Sequence, residues 1–168
     1  SLNLASKLSL PILFVCENNL FSSHLHILER QPINSTSRFA FANGIESYIE
    51  DGNDIISLTK TLNSIIPKIR KKQTPVFLEA VTYRLKGHVG HDENIDVGLN
   101  RSKDLINWKK RDPIKRTLNG LINFDPNYEK KYNDYRNSLY EKLMKSWEKA
   151  ISDPFPNKKQ LLDTVYYK

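Results

Sequence analysis

The chain has 168 residues, a formal net charge of +7, 39% hydrophobic and 10% aromatic content, which suits one domain with a real core and excludes intrinsic disorder. No apolar run nears the ~20 residues of a membrane-spanning helix, and residues 1–6 lack the basic start and apolar middle of a signal peptide. The cations are dispersed: Lys68, Arg70, Lys71 and Lys72 close one predicted helix, while Lys109, Lys110 and Arg111 separate two others. Neither cluster interleaves with aromatic residues, so neither nucleic acid nor a membrane is expected as a partner. The single cysteine, Cys16, can form no internal disulfide, which fits a reducing, cytoplasm-like compartment.

In chain order, residues 1–9 read as the tail of a helix, with Leu2, Leu4, Ala5 and Leu8 at near-helical spacing. The continuous apolar run over residues 12–16 predicts a strand buried on both faces, as inside a parallel sheet. It ends in Glu17, Asn18 and Asn19, at the carboxyl end of a strand, where open α/β sheets bind ligands. A side-chain amide oxygen can ligate a hard cation such as Mg²⁺ without adding charge; the alternative is that the Asn pair simply turns the chain. Residues 20–34 show no periodicity, carry His24 and His26, and predict a loop. Ser35, Thr36 and Ser37 offer capping oxygens for a helix through Phe39, Ala40, Phe41 and Ala42, which Gly44 ends.

Residues 45–50 predict a second strand, and Asp51-Gly52-Asn53-Asp54 turns into an amphipathic helix with Ile55, Leu58, Leu62, Ile65 and Ile69 on one face and Pro67 kinking its last turn. Residues 75–83 predict a third, buried strand that runs into a polar segment over residues 83–98. There Gly87 and Gly90 flank His88, and Asp92, Glu93, Asp96 and later Asp104 follow. Such glycines let backbone and imidazole approach a ligand closely, and a histidine so held can donate to phosphate oxygens or shuttle protons. Two alternatives stand beside this reading: a solvent-exposed acidic turn, and a zinc site from His88, His91 and Asp92, whose spacing matches no standard ligand pattern. Beyond Arg101 strand signals cease. Asp112-Pro113 opens a helix with Ile114, Leu118, Leu121 and Ile122 on one face. Asp125-Pro126 opens another, whose stripe of Tyr128, Tyr132, Tyr135, Leu139, Leu143, Trp147 and Ile151 predicts core or interface.

Strand and helix alternate through the first hundred residues, the pattern of an α/β fold with a parallel sheet. The combination of motifs is more specific than any one of them. A strand ending in Glu17-Asn18-Asn19, then Asp51-Gly52-Asn53-Asp54, then a strand running into Tyr-Arg-x-x-Gly-His-x-Gly-x-Asp over residues 83–92, resembles the alpha subunit of the thiamine diphosphate-dependent 2-oxo acid dehydrogenases. Leu10-Pro11 and Arg111-Asp112-Pro113-Ile114 add to the resemblance. It implies a partial thiamine diphosphate-binding fold over residues 1–100 with a helical extension over 101–168. By the same resemblance Asn19, through its side chain, and Phe21, through its main-chain carbonyl, ligate the Mg²⁺ of the cofactor diphosphate. His88 faces the diphosphate as the catalytic and cofactor-binding residue. The implied partners are a beta subunit, a lipoyl-bearing acyltransferase and a small 2-oxo acid substrate. Val89 stands where mitochondrial relatives carry a phosphorylated serine, so that switch is not expected here. The family's diphosphate motif opens upstream with Gly-Asp-Gly, which occurs nowhere in this chain; the expectation is the C-terminal part of a longer protein. The rival expectation is a non-catalytic binding or scaffold domain that retains the fold.

Overall fold

The computed structural model describes residues 1–90, 92, 93, 95, 96, 99–160 and 165. The chain forms two compact units, Ser1–Asn119 and Gly120–Lys168. In the first, α1 (Leu2–Lys7) leads into β1 (Leu13–Asn18), followed by the short strands β2 (Phe21–Ser22) and β3 (Leu25–His26) and the helices α2 (Ile27–Arg30) and α3 (Ser37–Phe41). Next come β4 (Glu46–Asp51), α4 (Ile55–Lys72), β5 (Val76–Val81), β6 (Ile95–Asp96), β7 (Leu99–Asn100), α5 (Ser102–Lys109) and α6 (Pro113–Phe124), which belongs to this unit as far as Asn119. Parallel strands in the order β1-β5-β4 make the main sheet, with Asn18 and Asp51 both in register with Val81. All three carboxyl ends therefore open at the same end of the sheet. This is the α/β architecture with a parallel sheet that the alternation of elements predicts.

The strand buried on both faces is β5, not the run at residues 12–16. Val76, Phe77, Leu78, Glu79 and Ala80 are all buried, because β5 has a hydrogen-bonded neighbour on each side and packing on each face. Ile65 and Ile69 of α4 pack on Val76, and Ala40 and Ile45 pack on Phe77. β1 lies at the edge of the main sheet, and its Val15 is 55% exposed. Hydrophobicity alone did not separate the two strands, since both are continuous apolar runs; their place in the sheet did.

Residues 20–34 also depart from the expected loop. β2 and β3 pair antiparallel with Phe21 opposite His26, and α2 follows at once. His26 acts as the N-cap: its Nδ1 accepts from Leu28 N at 3.3 Å, while Glu29 Oε2 accepts from His26 N at 2.7 Å. This capping box uses an imidazole where Ser or Thr is usual, so the sequence signal was invisible.

The Asp51-Gly52-Asn53-Asp54 turn is fixed residue by residue. Asp51 Oδ1 accepts from Asn53 N at 3.0 Å, and Asp54 Oδ1 caps α4 by accepting from Ser57 N at 3.0 Å. Buried Asn53 donates from Nδ2 to Arg111 O at 2.9 Å and accepts from Thr82 Oγ1 at 2.7 Å. Arg116 bridges Asp51 at 2.8 Å and Asp54 at 2.9 Å, and Arg111 adds a second cation on Asp51 at 2.9 Å. Asp112 Oδ1 accepts from Ile114 N and Lys115 N, so α6 starts at Pro113 as the Asp-Pro pair predicts. Pro67 lies within α4, which continues to Lys72.

In the second unit, α7 (Asn127–Ser152) has no buried residue, and a 3₁₀ turn covers Lys158–Gln160. Within this unit Tyr128 and Tyr132 are half-buried, whereas Trp147 is 63% and Ile151 70% exposed, so among the described residues the stripe forms no buried core of its own. Among the described residues no helix is long and apolar enough to cross a membrane.

Gly52 is required by space. Its N donates to Val81 O at 2.7 Å, and a Cβ there would meet that same oxygen at 2.9 Å. In the full-length protein, Gly52→Ala is expected to cost about 1–3 kcal/mol of stability, the usual penalty of forced overpacking, read as a lower midpoint in urea denaturation.

Candidate functional site

The site begins where β1 ends. Asn18 and Asn19 each close a turn on the following backbone: Asn18 Oδ1 accepts from Leu20 N, and Asn19 Oδ1 from Phe21 N, both at 3.0 Å. The turn reading of the Asn pair is thus correct as far as it goes. Between them Leu20 takes φ +68°, and Ser23 shortly after takes φ +53°. A leucine in the left-handed region costs energy and persists only where its surroundings fix it.

The surroundings are Glu79, which is 0% exposed, and Asn18, which is 6% exposed. Asn18 Nδ2 donates to Glu79 Oε1 at 2.6 Å and to Asn34 O at 3.1 Å. The same carboxylate accepts from Ser35 Oγ at 2.6 Å, from Thr36 N at 2.9 Å and from Ser37 N at 2.9 Å. The start of α3 is therefore capped by a carboxylate on a central strand; the side chain of Thr36, its N-cap residue, makes no capping bond. Burial pushes the Glu79 carboxyl up, but the donors from Ser35, Thr36, Asn18 and Ser37 outweigh it and hold the group below its ordinary value of 4.5.

The second loop leaves β5 and lies against the first. Arg84 Nη2 donates to Ser23 O at 2.8 Å, and Ser23 Oγ and His88 Nε2 lie 3.4 Å apart. Arg84 Nη1 is 3.3 Å from His88 Nδ1. A guanidinium can only donate, so in a neutral imidazole this contact makes Nδ1 the acceptor and leaves the N–H at Nε2, on the Ser23 side. The His24 and His88 rings meet edge to face at 5.6 Å. Phe21 meets Tyr83 edge to face at 5.9 Å, and Tyr83 stacks on Trp108 of α5 at 5.4 Å.

Arg101 holds the pair of loops together. It is 3% exposed, and its guanidinium lies 5.8 Å from the Phe21 ring and 5.5 Å from the Tyr83 ring. Its Nη1 donates to Arg84 O at 2.8 Å, and Nη2 to Lys86 O at 3.1 Å and Glu93 O at 3.3 Å. Lys86 and Lys109 both pair with Glu93, and Gly87 N donates to Asp92 O at 2.7 Å, which closes the loop on itself.

Asn19, Phe21 and His88, the three residues singled out in the sequence, thus lie on two segments that the fold interlocks through Ser23, Arg84 and Arg101. Those last three, with Glu79, were missed. A buried arginine that serves carbonyls has no local sequence signature, and Glu79 looks like one polar residue in an apolar strand. His91, needed for the zinc alternative, lies outside the described residues, as do Asn94, Val97 and Gly98. Among the described residues no three His, Cys, Asp or Glu side chains gather as a metal site.

The lowered Glu79 carboxyl gives a signed pH dependence. Its stabilisation is fully present above the ordinary value of 4.5 and is lost as pH falls through the lower folded value. The difference in unfolding free energy between wild type and Glu79→Gln should hold constant from about pH 7 to 5 and narrow in more acid solution, as measured by guanidinium titrations at each pH.

Residues 1–159 match the family described as dehydrogenase E1 component. The chain is 30% identical over 160 residues to the pyruvate dehydrogenase E1 component subunit alpha of Porphyra purpurea, covering 95% of this chain and 46% of that protein. It is 30% identical over 166 residues to the mitochondrial 2-oxoisovalerate dehydrogenase subunit alpha of Homo sapiens, covering 98% and 37%. To the chloroplastic pyruvate dehydrogenase E1 component subunit alpha-3 of Oryza sativa subsp. japonica it is 27% identical over 165 residues, covering 98% and 38%. It spans under half the length of these curated relatives. With strand-end motifs, parallel sheet and family match in agreement, the chain belongs to the dehydrogenase E1 component family, and these relatives of it are alpha subunits of pyruvate and 2-oxoisovalerate dehydrogenases.

Proposed function

We propose that this chain is part of an E1 alpha subunit that, with a beta subunit, oxidatively decarboxylates a small 2-oxo acid on thiamine diphosphate and Mg²⁺ and passes the acyl group to a lipoyl-bearing acyltransferase. The observation that carries the proposal is the interlock of the two strand-end loops, which sets Ser23 against His88 at 3.4 Å and Arg84 against Ser23 O at 2.8 Å.

The donor set suits the group. Asn19 Oδ1 accepts one hydrogen bond, from Phe21 N, and an amide oxygen has a second lone pair for a hard cation. With the Phe21 carbonyl this makes two neutral oxygens at the carboxyl end of a parallel strand; diphosphate oxygens and groups beyond these residues would complete the shell. Arg84, His88 and Ser23 together offer a guanidinium, an imidazole N–H and a hydroxyl to phosphate oxygens. Thiamine diphosphate, when bound, supplies the carbanion chemistry of decarboxylation. This chain's residues would bind and orient it: Asn19 and Phe21 would hold the metal, while Arg84 and Ser23 steady the His88 imidazole, whose N–H would be shared between Ser23 and the diphosphate.

In the full-length protein assembled with its beta partner, Asn19→Ala should raise the thiamine diphosphate dissociation constant at fixed Mg²⁺ by about tenfold or more, a loss of ~1.4 kcal/mol, by isothermal titration. Unchanged affinity would return Asn19 to a turn residue. A wild-type protein that binds no cofactor would favour the scaffold reading. His88→Ala should lower turnover at least about tenfold with the melting temperature nearly unchanged, because its exposed loop contributes little core. Surviving turnover with loss of bound zinc would identify His88, His91 and Asp92 as a metal site instead.

A further inference from the structure

The hydrogen bonds around Glu79 form a directed chain that ends at Leu20, the residue between the two proposed metal ligands. The first link is the buried carboxylate, whose Oε1 takes Asn18 Nδ2 at 2.6 Å. A carboxylate can only accept, so it fixes which way the Asn18 amide faces. With Nδ2 committed to Glu79 and to Asn34 O at 3.1 Å, Asn18 Oδ1 is left to accept from Leu20 N at 3.0 Å. That bond holds Leu20 at φ +68°, directly between Asn19 and Phe21. Reversing the amide would aim an N–H₂ at Leu20 N, donor against donor, and remove the restraint on a left-handed leucine.

We infer that Glu79 and Asn18 are positioning residues for the metal-binding turn: Glu79 orients the Asn18 amide, and Asn18 holds Leu20 so that the Asn19 side-chain oxygen and the Phe21 carbonyl face one cation. The inference rests on the functional reading above and adds two residues that touch neither metal nor diphosphate. The carboxylate has a second set of donors on the α3 side, from Ser35 Oγ at 2.6 Å, Thr36 N at 2.9 Å and Ser37 N at 2.9 Å. These do not lead to the turn. They give the control that separates positioning from general support of the fold.

The test uses the full-length protein with its beta partner and reads two quantities for each variant: the Mg²⁺ concentration for half-maximal thiamine diphosphate binding, and the melting temperature without cofactor. Asn18→Leu removes the amide and leaves Leu20 N without its acceptor. Asn18→Asp keeps that acceptor but sets a second carboxylate against Glu79. Ser35→Ala removes one donor to Glu79 on the α3 side only. Both Asn18 variants are expected to raise the half-saturating Mg²⁺ concentration about tenfold or more. Ser35→Ala should stay within about twofold, whatever melting temperature it loses. Glu79→Gln, where it folds, should follow the Asn18 variants; the Asn18 pair decides the matter if it does not. Asn18 variants that bind like wild type overturn the inference alone. So does a Ser35→Ala protein that loses as much Mg²⁺ affinity as they do for the same loss of melting temperature, since the network would then be only structural. A wild-type protein that binds no cofactor overturns the functional reading and this inference with it.

Discussion

A carboxylate carried into a protein interior must find donors for both oxygens or give up its charge, at a cost of several kcal/mol otherwise. Glu79 finds them on two segments that the chain order keeps far from it. Asn18 donates from the end of β1, and Ser35, Thr36 and Ser37 donate from the start of α3. One buried charge thereby joins the central strand of the sheet to the turn beyond an edge strand and to a helix N-terminus. Backbone N–H groups at a helix start need acceptors in any case, so the carboxylate and α3 satisfy each other. The alternative, an apolar residue at position 79, would take away one of the two acceptors of the Asn18 amide and one of the two of Ser37 N, and would leave Thr36 N without its acceptor.

The parallel register explains why the loops of the candidate site meet at all. Asn18, Asp51 and Val81 lie in one row across the three strands, so β1, β4 and β5 deliver their following loops to the same end of the sheet. The three loops then take different work. The turn after β4 spends its polar groups internally and on Arg111 and Arg116, fixing α4 and α6 to the sheet. The loops after β1 and β5 spend theirs on each other, through Ser23, Arg84 and His88. A family resemblance that rests on all three motifs therefore mixes one motif that fixes helices to the sheet with two that pack on each other.

Arg101 shows how such a pair of loops acquires rigidity without a core of its own. Loops carry many backbone carbonyls that water would otherwise serve. One buried guanidinium serves three of them and lies close to the rings of Phe21 and Tyr83 at the same time. The planar fork of arginine makes this possible; a lysine ammonium, a single point of charge, could not serve the same three carbonyls from beside both rings. His88 is thus held by backbone whose geometry is set from the first residue before α5.

Local chemistry made much of this legible in the sequence. Apolar runs gave the three strands, Asp54 and Asp112 gave the helix starts, and the motifs at two strand ends carried the family resemblance that implies Asn19, Phe21 and His88 as candidates. These features depend on neighbours within a few residues, which is what a linear reading sees. Tertiary structure alone decided that β5 rather than β1 is central and that residues 20–34 pair and fold. It also decided that Glu79 and Arg101 are buried where they serve distant backbone. A polar side chain buried by distant donors or carbonyls has the same sequence appearance as an exposed one. Only the closing of long chain separations, Asn18 with Glu79 and Phe21 with Arg101, distinguishes them.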